Sequence, residues 1–306
     1  MALMTTIRAA RCRIGAAVAV LFLAAVGAPA VLAAETARNG AVCLVGMGPG
    51  DPELVTFKAA KVLKDADCVF CFDYLKDEVA RFAPPGKITV ASSLLMGRFR
   101  GQSLKDLPPQ LRDRARQSQA ETAKFLTHVR ELVAGGKKVA FADSGDPTLY
   151  CPWSWVTEDF ADLDPVVVPG LSSFNAANAA LRQSVTKKAG SVLLSAGDDL
   201  GTPDEHGRLK MMLVLFTHRV KLNELLPRLQ ARYPSDTPIA VVSEASYERE
   251  RVLFATLATI QEKLGDQKLP HLYLIYAGDG LAPPKAVNND GHLGGHDAKT
   301  SGTKAR

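Results

Sequence analysis

Four short motifs rich in turn-forming residues lie beside β-type runs of this sequence, where a strand would meet a loop or helix. These turns cover residues 46–52 (G-M-G-P-G-D-P), 143–147 (D-S-G-D-P), 168–173 (V-P-G-L-S-S) and 236–242 (D-T-P-I-A-V-V). Glycine lets the backbone turn sharply and lets a ligand approach it closely. Ligands of α/β proteins bind outside strand ends. The pattern therefore predicts one binding cleft assembled from several strand ends.

The first turn is a poor phosphate-binding loop. A nucleotide-binding fingerprint requires G-x-G-x-x-G, and Asp51 stands where its last glycine would be. The carboxylate there would repel a pyrophosphate. Asp73, at the end of the next strand, could imitate the ribose-binding acid of a dinucleotide site. A nicotinamide dehydrogenase is therefore one alternative, but it leaves the other three turns unexplained.

The remaining turns present small, uncharged or mildly acidic groups. Gly145 permits close approach, and Pro147 stiffens the exit from its turn. Ser172 and Ser173 offer hydroxyl and amide groups at a helix start, where one of them is expected to cap the helix. Such walls suit a ligand that carries positive charge and an adenosine, and they do not suit a polyphosphate.

The elements that position these turns alternate between strand and helix patterns. Strands are predicted at 41–45, 67–72 and 138–142, with a helix at 56–65 and another in the later half of 95–132. The pattern restarts after Trp155, with strands at 165–168, 191–196, 211–216, 237–242, 252–255 and 271–277 and helices at 174–181 and 221–233. We therefore predict two α/β domains with mainly parallel or mixed sheets, at residues 40–150 and 151–282. Residues 283–306 have little to bury and are predicted to be a disordered tail.

The N-terminal segment has the pattern of a targeting signal. Arg8, Arg11 and Arg13 precede an uncharged run at 14–34 that ends in small residues. This order is typical of a secretory signal peptide, which predicts an exported or periplasmic protein. An uncleaved membrane anchor and a mispredicted start codon, which would make the protein cytoplasmic, are the alternatives. Removal of 1–34 lowers the formal charge from +5 to +2, so the basic pI gives no support for nucleic-acid binding.

The cysteines and histidines do not predict a metal site. Cys68 and Cys71 form a C-x-x-C inside a β-type run, where residues three apart point to opposite faces of a sheet. We interpret them as buried apolar side chains. His292 and His296 lie among glycines that cannot hold them on a helix. No metal is expected.

Together the turns resemble the tetrapyrrole (corrin/porphyrin) methylase family. The resemblance rests on segments 45–56, 144–150, 168–174 and 236–242, which occur in the family's order and span about residues 41–279. The S-G-D-P-x-x-Y, P-G-x-S-S-F and Y-x-x-D-T-P patterns are most similar to precorrin-4 carbon-11 methyltransferases. The Phe72–Asp73 pair instead resembles uroporphyrinogen-III methyltransferases.

The resemblance implies a homodimer that binds S-adenosylmethionine between its two domains and transfers the methyl group to a carbon of a tetrapyrrole, such as precorrin-4 or cobalt-precorrin-4. By motif, the cofactor-binding residues would be Pro49, Ser144, Gly145, Asp146, Leu149, Ser172, Ser173, Thr217 and Ala245. The chain departs from the family at Thr217–His218 and at Glu248.

Two further roles concern the substrate. Asp73 is the predicted catalytic base, with a solvated strand-terminal acid as the alternative. Arg98 and Arg100 are predicted to bind the tetrapyrrole's carboxylates, with a solvated surface as the alternative. Because the methyl donor is made in the cytosol, an exported family member that binds a tetrapyrrole or S-adenosylhomocysteine without turnover is a further hypothesis.

Overall fold

The computed structural model describes residues 41–187, 190–218, 220–270 and 273–283. The predicted signal segment at 1–34 lies outside these residues, as does the predicted tail beyond residue 283. The chain divides into two compact units, with boundaries at 47/48, 54/55 and 170/171. Of the described residues, 41–47 and 55–170 belong to the first unit, and 48–54 and those between 171 and 283 belong to the second.

The first unit is built on a parallel five-stranded sheet. Its strands are β1 (Val42–Gly46), β2 (Cys68–Cys71), β3 (Ile88–Val90), β4 (Val139–Asp143) and β5 (Val166–Val168). Their order is β3-β2-β4-β1-β5, and every neighbouring pair is parallel. All five strands therefore end at the same edge of the sheet.

Helices cover both faces of this sheet. They are α1 (Phe57–Asp65), α2 (Lys76–Val79), α3 (Pro109–Ala134) and α4 (Val156–Asp159). The Thr56 hydroxyl caps α1 by accepting a hydrogen bond from the Ala59 amide at 3.1 Å. On one face, Leu63 of α1 packs with Val69 and Ala140, and on the other, Val129 of α3 packs with Phe141.

Strand alternation explains the two cores. Successive residues of a strand point to opposite faces. Accordingly, Phe70 belongs to the aromatic core with Trp153, whereas its neighbours Val69 and Cys71 belong to the aliphatic core. Cys68 packs against the aromatic core, so the two cysteines of the C-x-x-C lie on opposite faces, as predicted. None of the four cysteines of the described residues forms a disulfide bond.

The second unit contains a mixed sheet. Its strands are β6 (Val192–Ser195), β7 (Met212–Phe216), β8 (Pro238–Ser243), β9 (Arg251–Thr256) and β10 (Tyr273–Ala277), in the order β6-β7-β10-β8-β9. Only β6 and β7 pair in parallel among these described strands. The helices are α5 (Ser173–Leu181), α6 (Leu222–Gln230) and α7 (Ile260–Leu264).

The core of the second unit forms on the leucine face of α6. Leu222, Leu225, Leu226 and Leu229 are all buried, as their helical spacing predicts. They pack with Leu213 and Leu215 of β7 and with Ile275 of β10. The predicted fold class, two α/β domains with mainly parallel or mixed sheets, is confirmed.

The division between the units differs from the predicted boundary at 150/151. Val166–Val168 pairs with β1, so residues 151–170 complete the first sheet. The short valine run carries no sequence signal for which sheet it joins, because a strand's partner is set by tertiary packing. Among the described residues, no helix has the length and apolar character needed to cross a membrane.

Candidate functional site

Three of the predicted turns meet at the carboxyl edge of the first sheet. β1 ends at Gly46 and β4 ends at Asp143, and these two residues are opposite each other in the parallel pairing of the strands. The Met47 amide then donates to the Asp143 carbonyl oxygen at 2.7 Å, which holds the two turns together. The β5 turn joins them at Gly170.

Glycine is required in these turns because their backbones are in contact. A Cβ on Gly46 would lie 2.6 Å from the Gly170 nitrogen and 2.7 Å from the Gly145 oxygen. A Cβ on Gly170 would lie 2.3 Å from that same oxygen. The space left by these missing side chains is therefore occupied by protein backbone. The interpretation of Gly46 as room for a ligand is wrong.

The β4 turn exposes one hydroxyl and orders the rest of its residues. Ser144 is exposed, whereas Gly145 is buried with a φ of 71°. The Asp146 carboxylate accepts hydrogen bonds from both the amide and the hydroxyl of Thr148, and its carbonyl accepts one from the Leu149 amide at 3.1 Å. Asp146 thus shapes this turn, while Ser144 is the group open to a ligand.

Asp73 lies at the same sheet edge and is exposed. It opens a 3₁₀ turn, Asp73–Leu75, directly after β2. Its neighbour Tyr74 donates a hydrogen bond at 3.0 Å to the Asp143 carboxylate, which also accepts from the Cys151 thiol at 2.8 Å. Sequence reasoning missed this cluster.

A cluster of this kind has no local sequence signal. Tyr74 and Asp143 are 69 residues apart, and only the order of strands β2 and β4 brings them together. The one hint in the sequence was Asp143 itself, an aspartate that ends the otherwise apolar strand β4.

In the second unit, Ser172 and Ser173 have different tasks. Ser172 is the N-cap of α5, accepting from the Phe174 amide at 3.2 Å, and the Asn175 side chain completes a capping box by accepting from the Ser172 amide. Ser172 is only 8% exposed. Ser173, half-buried in the first turn, is the better placed of the two for a ligand.

Pro49 and Ala245 lie on two loops of the second unit that contact each other. The Asp51 amide donates to the Ser246 hydroxyl at 3.2 Å. A Cβ on Gly50 would lie 2.1 Å from the Tyr247 ring, so this glycine makes room for an aromatic side chain.

The backbone on both sides of Ala245 is held in an unusual conformation. Glu244 and Ser246 have φ values of 50° and 71°, which are uncommon for residues with side chains. A Glu244–Arg249 ion pair at 2.8 Å and a Ser246 amide to Glu250 hydrogen bond at 2.9 Å hold the loop in place. Such strain is typical of functional loops.

The Thr217 side chain is buried and forms its hydrogen bonds within the second unit. It is 1% exposed, its hydroxyl donates to the Tyr273 carbonyl at 2.6 Å, and it accepts from the Tyr273 amide at 3.2 Å. Thr217 can therefore offer a ligand little more than its backbone.

Arg98 and Arg100, both predicted to bind substrate, differ in their availability. Arg100 forms an ion pair with Asp159 through both of its terminal nitrogens, lies 3.6 Å from Glu158, and stacks over the Trp155 ring. The hydrogen bonds that Arg100 donates to the Asp159 carboxylate raise the pKa of Arg100 above its usual range. Arg98 is exposed, so it is the one of the two that is open to a substrate carboxylate.

The first unit's sheet edge fits a positively charged ligand better than a phosphate. Asp73, Asp143 and Asp146 all belong to this edge, beside the exposed side chain of Ser144. Carboxylates attract a sulfonium and repel a phosphate. Within the described residues, no group of three histidine, cysteine or acidic side chains could hold a metal ion.

Comparison with known protein sequences agrees with these features. The family model for tetrapyrrole (corrin/porphyrin) methylases matches residues 41–261. A precorrin-4 C(11)-methyltransferase of Mycobacterium tuberculosis is 30% identical over 256 residues, which cover 78% of this chain and 91% of that protein. A cobalt-precorrin-4 C(11)-methyltransferase of Methanocaldococcus jannaschii is 25% identical over 257 residues, covering 80% and 90%.

Solved structures share the fold. A cobalt-precorrin-4 methyltransferase aligns with a TM-score of 0.59 at 23% identity, over 79% of this chain and 96% of that one. A uroporphyrin-III C-methyltransferase from Thermus thermophilus aligns with a TM-score of 0.56 at 26% identity, over 79% and 94%. A structure of the Thermus thermophilus enzyme complexed with S-adenosylhomocysteine aligns with a TM-score of 0.52 at 24% identity, over 78% and 92%.

These matches extend over most of the chain, and the family match includes all four turns singled out above. They agree with the predicted precorrin-4 type and, at the level of the family, with the predicted methyl donor. The chain is an S-adenosylmethionine-dependent methyltransferase of the tetrapyrrole (corrin/porphyrin) methylase family.

Proposed function

We propose that this protein methylates carbon 11 of precorrin-4 or cobalt-precorrin-4. The observation that carries the proposal is the set of strand-end turns at residues 46–52, 144–150 and 168–174, which lie inside the matched family region. The similarity to the Mycobacterium tuberculosis precorrin-4 C(11)-methyltransferase supports this substrate over other tetrapyrroles.

The residues proposed to hold the methyl donor are those that the motifs predict. They are Pro49, Ser144, Gly145, Asp146, Leu149, Ser172, Ser173, Thr217 and Ala245. Of these, Gly145, Ser172 and Thr217 are buried, whereas the other six are exposed or half-buried and so more accessible to a ligand. Ser172 and Thr217 contribute through the order they impose on α5 and β7.

S-adenosylmethionine supplies an electrophilic methyl group on a positively charged sulfur. The charge on the sulfur disperses during such a displacement, so the protein's task is alignment and exclusion of water more than strong polar catalysis. The carboxylates of the first unit's sheet edge favour the charged donor. Orientation alone can contribute about 7–11 kcal/mol to such a reaction.

Asp73 is proposed to accept the proton that the ring loses after methylation. Its carboxylate is exposed at the strand end beside Tyr74, so it is accessible to accept a proton from a substrate carbon. Arg98 is proposed to bind a peripheral carboxylate of the tetrapyrrole.

The proposal is tested with the intact protein, the methyl donor and a panel of tetrapyrroles. Calorimetry should detect micromolar binding of S-adenosylmethionine and no heat with a nicotinamide dinucleotide. Mass spectrometry should then detect one added methyl group on precorrin-4 or its cobalt form. Donor binding without methyl addition to any precursor would contradict the enzymatic proposal and favour a carrier. Methylation of uroporphyrinogen III alone would contradict the substrate.

We also propose that the protein is exported and forms a homodimer. The export proposal rests on the order of charged, apolar and small residues at 1–34. The dimer proposal rests on the resemblance to the family alone. Sedimentation equilibrium at micromolar concentration measures the second directly, and a monomer there would contradict it.

A further inference from the structure

Asp143 is a buried carboxylate at the end of β4, one residue before Ser144. It is 1% exposed. One oxygen accepts hydrogen bonds from the Tyr74 hydroxyl at 3.0 Å and the Ser144 amide at 2.8 Å, and the other accepts from the Cys151 thiol at 2.8 Å. We call Tyr74, Asp143 and Cys151 the Asp143 cluster.

All three side chains of the Asp143 cluster are weak acids, and none of them carries a positive charge. Burial raises the pKa of Asp143, and burial together with the Asp143 charge raises the pKa of both Tyr74 and Cys151. The charge of Asp146 raises the pKa of Cys151 further. Within the described part of the chain, Asp143 forms no ion pair with a basic side chain. Only neutral donors therefore stabilise this carboxylate.

Such an arrangement is costly for folding. A buried carboxylate without a cation keeps a desolvation penalty that hydrogen bonds from neutral donors only partly offset. An apolar residue at the end of a buried strand would avoid that penalty. Fold stability is therefore a poor explanation for an acid at this position, which directs attention to what the carboxylate holds.

The cluster joins the two segments that carry the proposed chemistry. Tyr74 directly follows Asp73, and Ser144 directly follows Asp143. The Ser144 side chain also hydrogen-bonds the Tyr74 hydroxyl, lowering the pKa of Tyr74 against the larger effect of burial. Half of the Tyr74 side chain is exposed, so its ring forms part of the accessible surface at this sheet edge.

We propose that Asp143 is a positioning residue of the methyl-transfer site, which fixes Tyr74 and thereby the Asp73 segment against the Ser144 turn. This inference rests on the proposed function. Without the carboxylate, the 3₁₀ turn Asp73–Leu75 and the turn after β4 would each be free to shift. A displacement of about 1 Å at a reacting group can lower a rate about 100-fold.

The test compares Asp143→Asn, Tyr74→Phe and the double variant, all in the intact protein. Tyr233→Phe is the control, because it removes a tyrosine hydroxyl bond (2.7 Å, to the Leu200 carbonyl) in the second unit, at a more deeply buried side chain than Tyr74. We expect Asp143→Asn and Tyr74→Phe each to lower kcat at least about tenfold, while the Kd for S-adenosylhomocysteine changes less than about threefold. The double variant should be no worse than the poorer single one, because both act through one hydrogen bond.

Two readouts separate positioning from a loss of packing. Hydrogen–deuterium exchange without any ligand should rise at residues 72–79 and 144–150 in both single variants, and should stay unchanged there in Tyr233→Phe. The pH profile of kcat should fall on the acid side in the wild type, where protonation of Asp143 removes an acceptor. The contribution of Asp143 to this acid limb lies above the usual aspartate pKa of about 3.9 because burial raises the pKa of Asp143, and that contribution should be missing in Asp143→Asn.

The outcomes are distinguishable. An active wild type whose Asp143→Asn and Tyr74→Phe variants behave like Tyr233→Phe overturns the positioning role and leaves the proposed function standing. A folded wild type that methylates no tetrapyrrole overturns the proposed function itself. If Asp143→Asn does not fold, Tyr74→Phe decides, since it removes a single hydroxyl at a half-exposed side chain.

Discussion

Arg100 illustrates how the structure separates residues that look equivalent in sequence. Arg98 and Arg100 are two positions apart in a basic stretch, and both were predicted to bind carboxylates of the substrate. Arg100 instead satisfies its guanidinium within the first unit, against Asp159 and the Trp155 ring. An arginine with two hydrogen bonds to one carboxylate is fixed in place, whereas Arg98 is exposed and lies over the Phe99 ring, 5.6 Å from its centroid.

Arg100→Gln should therefore destabilise the first unit by about 1 kcal/mol, because it breaks a half-buried ion pair with two hydrogen bonds. Arg98→Gln should change stability by less than about 0.5 kcal/mol and should raise the KM for the tetrapyrrole. Urea unfolding followed by tryptophan fluorescence measures stability selectively, because both tryptophans, Trp153 and Trp155, are buried in the first unit. A larger KM effect for Arg100→Gln than for Arg98→Gln would contradict this assignment.

At this scale the sequence predicted residue types better than residue partners. The turn motifs correctly drew attention to Ser144 and to the Ser172–Ser173 pair, because short-range capping and turn rules apply to them. The contacts of Arg100 with Asp159 and of Tyr74 with Asp143 span 59 and 69 residues. Contacts at such separations depend on strand order, which local patterns do not encode.

The turns after β1, β4 and β5 act as one element. Their backbones touch at Gly46, Gly145 and Gly170, so each fixes the position of the other two. Close backbone packing at the sheet edge therefore supplies the rigidity that a methyl-transfer site requires. The exposed Ser144 belongs to one of these packed turns.

Gly46→Ala should destabilise the first unit by about 1–3 kcal/mol or more, since the added methyl group would overlap backbone atoms that have no room to retreat. Gly86→Ala is the matched control, because nothing lies within 4 Å of a Cβ at that position. Tryptophan fluorescence in urea again measures the difference. Equal midpoints for the two variants would show that the turns are not packed as described.

The two serines at the start of α5 allow a second test at the element scale. Ser172→Ala should cost about 1 kcal/mol through loss of the N-cap, seen as earlier unfolding by circular dichroism and faster exchange at 173–181. Ser173→Ala should leave stability within about 0.5 kcal/mol and should raise the Kd for S-adenosylmethionine. The reverse assignment of stability and binding would contradict the capping role given to Ser172.

Most helices and strands were predictable because their periodicity is strong. The predicted helix at 56–65 is observed as Phe57–Asp65, and the strand at 138–142 as Val139–Asp143. The edge strand Ile88–Val90 was missed because it is three residues long and largely exposed, so it shows no buried pattern. The antiparallel pairing of β8, β9 and β10 was also unpredictable, since strand direction leaves no trace in the sequence of a buried strand.

For the whole molecule, the localisation remains a prediction from residues 1–34. If the segment is a cleaved signal, the N-terminus of the natural protein should lie near residue 35, and the recovered chain should lack Arg8, Arg11 and Arg13. N-terminal sequencing of protein isolated from its native cells measures this. An intact Met1 in the soluble cytosolic fraction would contradict export.

The two units also differ in how far local sequence determines their assembly. In the first unit, alternation of helix and strand indicates parallel pairing, and the observed sheet is entirely parallel. The placement of 151–170 in this unit was missed because the three-valine strand β5 must cross to the far side of β1. That choice is made by packing across the whole sheet.

The lengths of the first unit's outermost strands have a consequence for handling the protein. The edge strands of its sheet are β3 and β5, each three residues long. The unpaired backbone of an edge strand can pair with a strand of a neighbouring molecule and start aggregation. Short edge strands are one of the ways by which natural proteins prevent this. Concentrated solutions of this unit should therefore resist amyloid-like growth, even though its interior strands are rich in valine and phenylalanine.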